Sequence, residues 1–166
     1  MIGIRKRRSL LLVICVAAVA SAAAVYLAAA AHFMKGEHPG PLLQPDDPFI
    51  AARGKEVYGA ACASCHGANL EGQPNWRERG PDGLLPAPPH DDTGHTWHHP
   101  DAALFEITKF GVQKFAGTDY KSAMPAFDQR LSDADIAAAL SFIESTWSPP
   151  IRQRHDAINR AGADQQ

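Results

Sequence analysis

The hydrophobic pattern opens with an almost unbroken apolar run from Ser9 to Ala31, 23 residues interrupted only by Ser9 and Ser21. That length suffices to span a bilayer core of ~30 Å. Four basic residues, Arg5 to Arg8, precede it. Such a cluster stays in the cytoplasm, so everything after Ala31 falls on the far side of the membrane. A signal peptide is the alternative, because Ala28 to Ala31 supply small residues at an A-x-A-like site. The run exceeds the ~7–15 residues of a signal core, which favours a retained anchor. Cys15 follows Ile14 inside this run and reads as an apolar filler. Residues 1–31 are thus a basic cytoplasmic end with a transmembrane anchor, and 32–46, rich in proline, glycine and charge, are a linker.

Beyond the linker the pattern turns helical. Asp47-Pro48 has a capping residue followed by proline at the first helical position. Phe49, Ala52, Glu56 or Val57, and Ala60 then follow at helical spacing. Gly54 lies inside this helix, where glycine lowers propensity and marks close approach of another element. Residues 68–99 read as loop, with Pro74, Pro81, Pro86, Pro88 and Pro89 among glycines. His99-Pro100-Asp101 begins a helix with Leu104, Phe105 and Ile107 as its apolar face and Gly111 as its stop. A second loop runs to Met124-Pro125. Ser132 to Asp135 is a capping-box variant that opens the last strong helix, with Ile136, Leu140 and Ile143 on one face and Trp147 extending the stripe. Pro149-Pro150 read as its end, and 148–166 as a polar tail, frayed or forming a short surface helix. No period-2 alternation is long enough for a sheet. The expected fold class is all-α, over residues 47–147.

Charge sharpens the picture. The formal net charge is −2, but with Arg5 to Arg8 set aside, 12 Lys and Arg remain against 18 Asp and Glu. An acidic body argues against nucleic acid and suits a basic patch on another protein. A body of this size buries little side-chain core. Three cysteines, two in one motif, make no disulfide framework.

That motif is Cys62-Ala63-Ser64-Cys65-His66. Thiols at i and i+3 followed by histidine have the spacing of covalent c-type haem attachment. Two thiols one turn apart can each add to a vinyl group on one porphyrin edge, and the adjacent imidazole then lies under the iron. Gly67 lets the backbone pass close by. A zinc site would need a second ligand pair at matching spacing, and a redox dithiol a βαβ setting; neither is present in the pattern. The expected cofactor is one haem c.

The opposite face of the iron then decides function. Of Met1, Met34 and Met124, only Met124 lies in the domain, and Pro125 stiffens the loop that holds it. Filling a core gap is the ordinary use of a methionine. With the haem motif upstream, ligation is the stronger reading, and a thioether would raise the potential and close the sixth position. That favours electron transfer over catalysis.

Cys62 to Gly67 after a short helix, then Met124-Pro125, then a closing amphipathic helix, resembles a class I c-type cytochrome, most closely the membrane-anchored bacterial monohaem type. The likeness covers about Asp47 to Trp147 and includes Arg53-Gly54-Lys55 before the motif. It implies that the first and last helices cross beside the haem, bringing Gly54 and Tyr58 to Leu140 and Ile143. It implies that a loop proline, among Pro74, Pro86 and Pro88, offers its carbonyl to the proximal imidazole. It also implies partner docking where the haem edge near Cys62 and Cys65 reaches the surface. The expected role is a single-electron carrier on the periplasmic side. Its partners would be membrane redox complexes: a quinol-oxidising complex, a terminal oxidase or a dehydrogenase.

Other constellations are less specific. His90, Asp91, His95, His98 and His99 surround Trp97 and could hold copper or zinc, or supply an axial histidine in place of Met124. Trp76, Arg77 and Trp97 are candidate donors to haem propionates. Lys109, Lys114 and Lys121 could steer a partner. The rivals to a carrier are a haem enzyme or sensor with a labile sixth ligand, and a metal-binding module using the histidine cluster.

Overall fold

A computed structural model describes residues 42–117 and 119–163. The expected anchor lies outside the described residues, as do Met1, Met34 and most of the linker. Among the described residues no helix is long and apolar enough to cross a membrane. There is no strand among them either. The elements are α1 (Pro48–Ala61), α2 (Ala63–His66), a 3-10 turn (Thr96–His98), α3 (Asp101–Phe110), α4 (Gln113–Ala116), α5 (Asp133–Ser145) and α6 (Pro149–Ala163).

Helix α1 starts as its sequence dictates. The Asp47 carboxylate accepts from the backbone N–H of Phe49 at 2.8 Å and of Ile50 at 3.1 Å, which satisfies two of the four free donors of a helix start. Its buried face differs from the expected one. Phe49 is 84% exposed, Ala52, Glu56 and Ala60 are exposed too, and the buried residues are Gly54, Val57 and Tyr58. The face carries a glycine where an apolar stripe would carry a large residue, so counting hydrophobics misplaces it.

Gly54 is the crossing point. A Cβ there would run into the Ala138 carbonyl of α5 and approach Phe142 Cβ at 2.8 Å. One helical turn on, the Tyr58 and Phe142 rings meet at 5.6 Å. Ile136, Leu140, Ile143 and Trp147 are buried as the α5 stripe predicts. They join Tyr58, Leu104 and Phe105 in one apolar cluster. Ser132 caps α5: its hydroxyl oxygen accepts from the Asp135 N–H at 3.1 Å and its O–H donates to the Asp135 carboxylate at 2.9 Å. Asp135 also takes the Arg53 guanidinium of α1 at 2.8 Å.

The stretch after Trp147 is a 15-residue helix. Pro149-Pro150 open it, as prolines with preset φ do at a first turn. On this polar helix His155 is fully buried, and Arg152 pairs with Asp46 at 2.7 Å. Asn159 accepts from the Asp101 N–H at 2.8 Å, serving the start of α3.

Candidate functional site

Cys62 ends α1, and its N–H bonds to the Tyr58 carbonyl at 2.9 Å. Helix α2 then carries Cys65 and His66 round one further turn. Gly67 stops it with φ 82°, a conformation cheap only for glycine. The space a Cβ would need there is filled by the Glu71 carboxylate. The Gly67 carbonyl accepts the Tyr58 O–H at 2.8 Å, which ties the motif back to α1. Gly67 therefore serves first as a helix stop.

His66 is buried, and its Nδ1 lies 2.9 Å from the Pro88 carbonyl oxygen. A carbonyl can only accept, so Nδ1 carries the hydrogen and the lone pair is left on Nε2. Burial holds the imidazole below its ordinary pKa, against the Pro88 bond. Among Pro74, Pro86 and Pro88, the structure selects Pro88.

The loop around Pro88 explains the choice. Gly72, at φ 68°, lets its backbone lie on Pro88; a Cβ would be 2.6 Å from the Pro88 carbonyl carbon. Gly94 takes Pro89 from the other side, where a Cβ would be 2.7 Å from the Pro89 carbonyl carbon. Hydrogen bonds complete the cradle. The Gly72 N–H donates to the His66 carbonyl, the Gln73 N–H to that of Ala87 and the His90 N–H to that of Leu70, each at 2.8 Å. Trp147 reaches in from beyond α5, its indole N–H donating to the His90 carbonyl at 2.8 Å. Residues 68–99 are loop apart from the 3-10 turn at Thr96–His98, yet their polar backbone is satisfied from several sides.

The thiols are free; Cys62 is half-buried and Cys65 exposed. Burial, with the neighbouring Cys65, pushes the Cys62 thiol up to about 11. A dithiol oxidoreductase needs the opposite, a depressed thiol pKa. Met124 is half-buried against the same apolar cluster that Cys62 and Ala63 border. Its N–H donates to the Ser122 hydroxyl oxygen at 3.1 Å.

The histidine loop assembles no metal centre. His90 stacks on His66, ring centroids 4.0 Å apart, and its Nδ1 meets the Thr96 hydroxyl at 2.7 Å. Burial, then the His66 and His95 rings, hold His90 well below its ordinary pKa. His95 stacks on Trp76 at 5.2 Å, and Arg77 lies over that indole at 4.1 Å. His98 stacks on Trp97 at 3.6 Å. Among the described residues the one trio with atoms close enough to share an ion is Asp101, Glu144 and His155, a cluster the sequence reading missed. Lys109 and Lys114 are engaged with Asp133 and Glu106, each at 2.7 Å.

The donor set fits a haem. Two free thiols lie one helical turn apart, an imidazole has Nε2 uncommitted, and the buried Trp97 indole N–H lacks a partner. These suit, in turn, vinyl groups, iron and a propionate.

Comparison with known proteins agrees. The cytochrome c family matches residues 51–147. The cbb3-type cytochrome c oxidase subunit FixP of Rhizobium meliloti (strain 1021) is 30% identical over 101 residues, which are 61% of this chain and 29% of that protein. The chain thus spans under a third of that relative's length. No solved structure matches. A cytochrome c family match over more than half of the sequence, on a strand-free helical domain with this thiol and imidazole arrangement, places the chain in the cytochrome c family, electron-transfer proteins with covalently bound haem c.

Proposed function

We propose that the protein is a monohaem electron carrier in which Cys62 and Cys65 hold the haem through thioether bonds and His66 and Met124 are the axial ligands. The observation that carries this reading is the His66–Pro88 hydrogen bond. It fixes ring orientation and tautomer and makes the free nitrogen a stronger ligand. The haem supplies the one-electron chemistry; the chain supplies ligands, burial and orientation. A rigid proximal imidazole lowers the reorganisation that accompanies each change of charge. The half-buried Met124 thioether is the soft donor that favours the reduced state.

Met124 enters as a ligand on two grounds: it is the domain's one thioether, and it borders the cluster that Cys62 borders. The acidic body, the expected N-terminal anchor and the likeness to an oxidase subunit support a role on the periplasmic face, delivering electrons to a membrane redox complex. A terminal oxidase is the partner best supported.

The test is the absorption spectrum of the matured protein. Thioether-linked haem gives the reduced α-band of a c-type cytochrome, and sulfur ligation adds a near-infrared band in the oxidised state. Carbon monoxide binding to the native reduced protein would instead point to an enzyme or sensor with an open sixth position.

A further inference from the structure

The domain encloses a second chemical site, away from the thiols. Glu144 near the end of α5, Asp101 at the start of α3 and His155 on α6 bring their polar atoms within 4.8 Å of one another. His155 is 0% exposed and Glu144 4%. The His155 ring has an acceptor at each nitrogen: the Trp97 carbonyl 3.1 Å from Nδ1 and the Asp101 carboxylate 2.7 Å from Nε2. Two acceptors ask for two N–H donors, so this ring is an imidazolium. Glu144 Oε2 is buried beside it without a hydrogen-bond partner. A carboxylate left bare in the interior is costly, and a shared proton relieves it.

This cluster is joined to the proximal ligand. The Trp147 ring meets that of His155 at 4.9 Å, its indole N–H binds the His90 carbonyl, and His90 stacks on His66. Trp147, His155 and Glu144 are all buried. A charge that changes at the iron is therefore felt at the cluster through protein rather than water, where the effective dielectric is low.

We infer that one-electron reduction of the domain tightens proton binding at the Glu144–His155 pair, so that the carrier takes up a fraction of a proton from solvent with each electron. The inference rests on the haem reading above. The electron comes from the reducing partner and lowers the charge at the iron by one. The proton comes from solvent and binds at the Glu144 carboxyl, and reoxidation returns both. The groups facing Glu144 are Asp101 from α3 and His155, Arg152 and Asp156 from α6. Burial and the Asp101 charge raise the Glu144 carboxyl to about 7, against the opposing pull of His155 and Arg152. The site thus titrates near neutrality, where a modest electrostatic push changes its occupancy.

The experiment is a spectroelectrochemical titration of the full-length, haem-loaded chain between about pH 5 and pH 9, with Glu144→Gln beside it. The reduced state should hold the proton about threefold more tightly, which at ~59 mV per tenfold for one electron is a fall of ~30 mV across the window. Glu144→Gln should abolish that fall. Reduction of the wild type should also make a protonated-carboxyl band appear in the infrared difference spectrum, a readout independent of how the variant folds. A haem-loaded wild type whose potential ignores pH overturns the coupling, as does an undiminished slope in the variant. A colourless protein overturns the haem reading itself.

Discussion

Two loops flank the proposed haem, and they are built differently. Residues 67–99, on the His66 side, are cross-braced: Gly72 and Gly94 grip Pro88 and Pro89, and Trp147 binds the His90 carbonyl. Residues 112–126, on the Met124 side, include no buried residue among those described. Their long-range backbone tie comes at the far end, where the Phe127 N–H donates to the Lys109 carbonyl at 3.0 Å. Residues 67–99 hold five glycines and five prolines and 112–126 only Gly117 and Pro125, but composition alone does not make the first loop the firmer one. Tertiary bracing does. The proposed proximal ligand, His66, is preorganised by the fold, whereas Met124 sits on a thinly supported arch, so under the proposed ligation lability belongs to the sulfur side.

The contrast can be broken most sharply at Met124. Met124→Ala should lower the potential by on the order of 0.1 V, within the ~0.8 V range that axial ligands command. It should also let carbon monoxide bind the reduced protein. An unchanged potential would remove Met124 from the ligand set. Glycine replacements compare the two loops directly. Gly72→Ala adds a Cβ 2.6 Å from the Pro88 carbonyl carbon at φ 68°, and should cost about 2–4 kcal/mol in chemical denaturation while loosening His66. Gly117→Ala has φ 93° but open space around the new Cβ, so only backbone strain of about 1 kcal/mol should appear. Equal costs at both positions would dissolve the distinction. Trp147→Phe keeps an aromatic ring but drops the hydrogen bond to His90 and leaves part of a buried indole's space empty, a loss of about 1–3 kcal/mol.

The remaining effect concerns pH. Glu144 keeps its proton in the folded state up to about 7, whereas the unfolded chain releases it near ~4.3. The folded state then binds more protons between those values, so Glu144 makes stability fall as pH rises through that window. Glu144→Gln should flatten this stretch of the profile and leave the variant more stable above neutrality, by on the order of 1–3 kcal/mol. Thermal unfolding across pH measures it. A variant less stable than wild type at high pH would show that the carboxylate has a partner.

The chemistry was legible where it is local. Cys62, Cys65 and His66 need only one helical turn, and the caps at Asp47-Pro48 and Ser132–Asp135 need only their neighbours. The choice of Pro88 was not legible, because it depends on which prolines Gly72 and Gly94 clasp across the loop. On α1 the count of apolar positions put the wrong face inward, whereas Gly54 as a point of close approach, and the resemblance that brings Gly54 and Tyr58 to the last helix, gave the buried side. Pro149-Pro150 signal a helix start as well as a stop, and only packing decides between them. The Asp101, Glu144 and His155 cluster joins three helices whose sequence separation hides it.

Residues 43–46 are laid across the far end of the domain: Leu43 is buried, the Gln44 N–H donates to Ser141 of α5, and Asp46 clasps Arg152 of α6. Tension arriving from the N-terminal side is thereby borne first by the C-terminal helices, leaving the Cys62 turn out of the line of force.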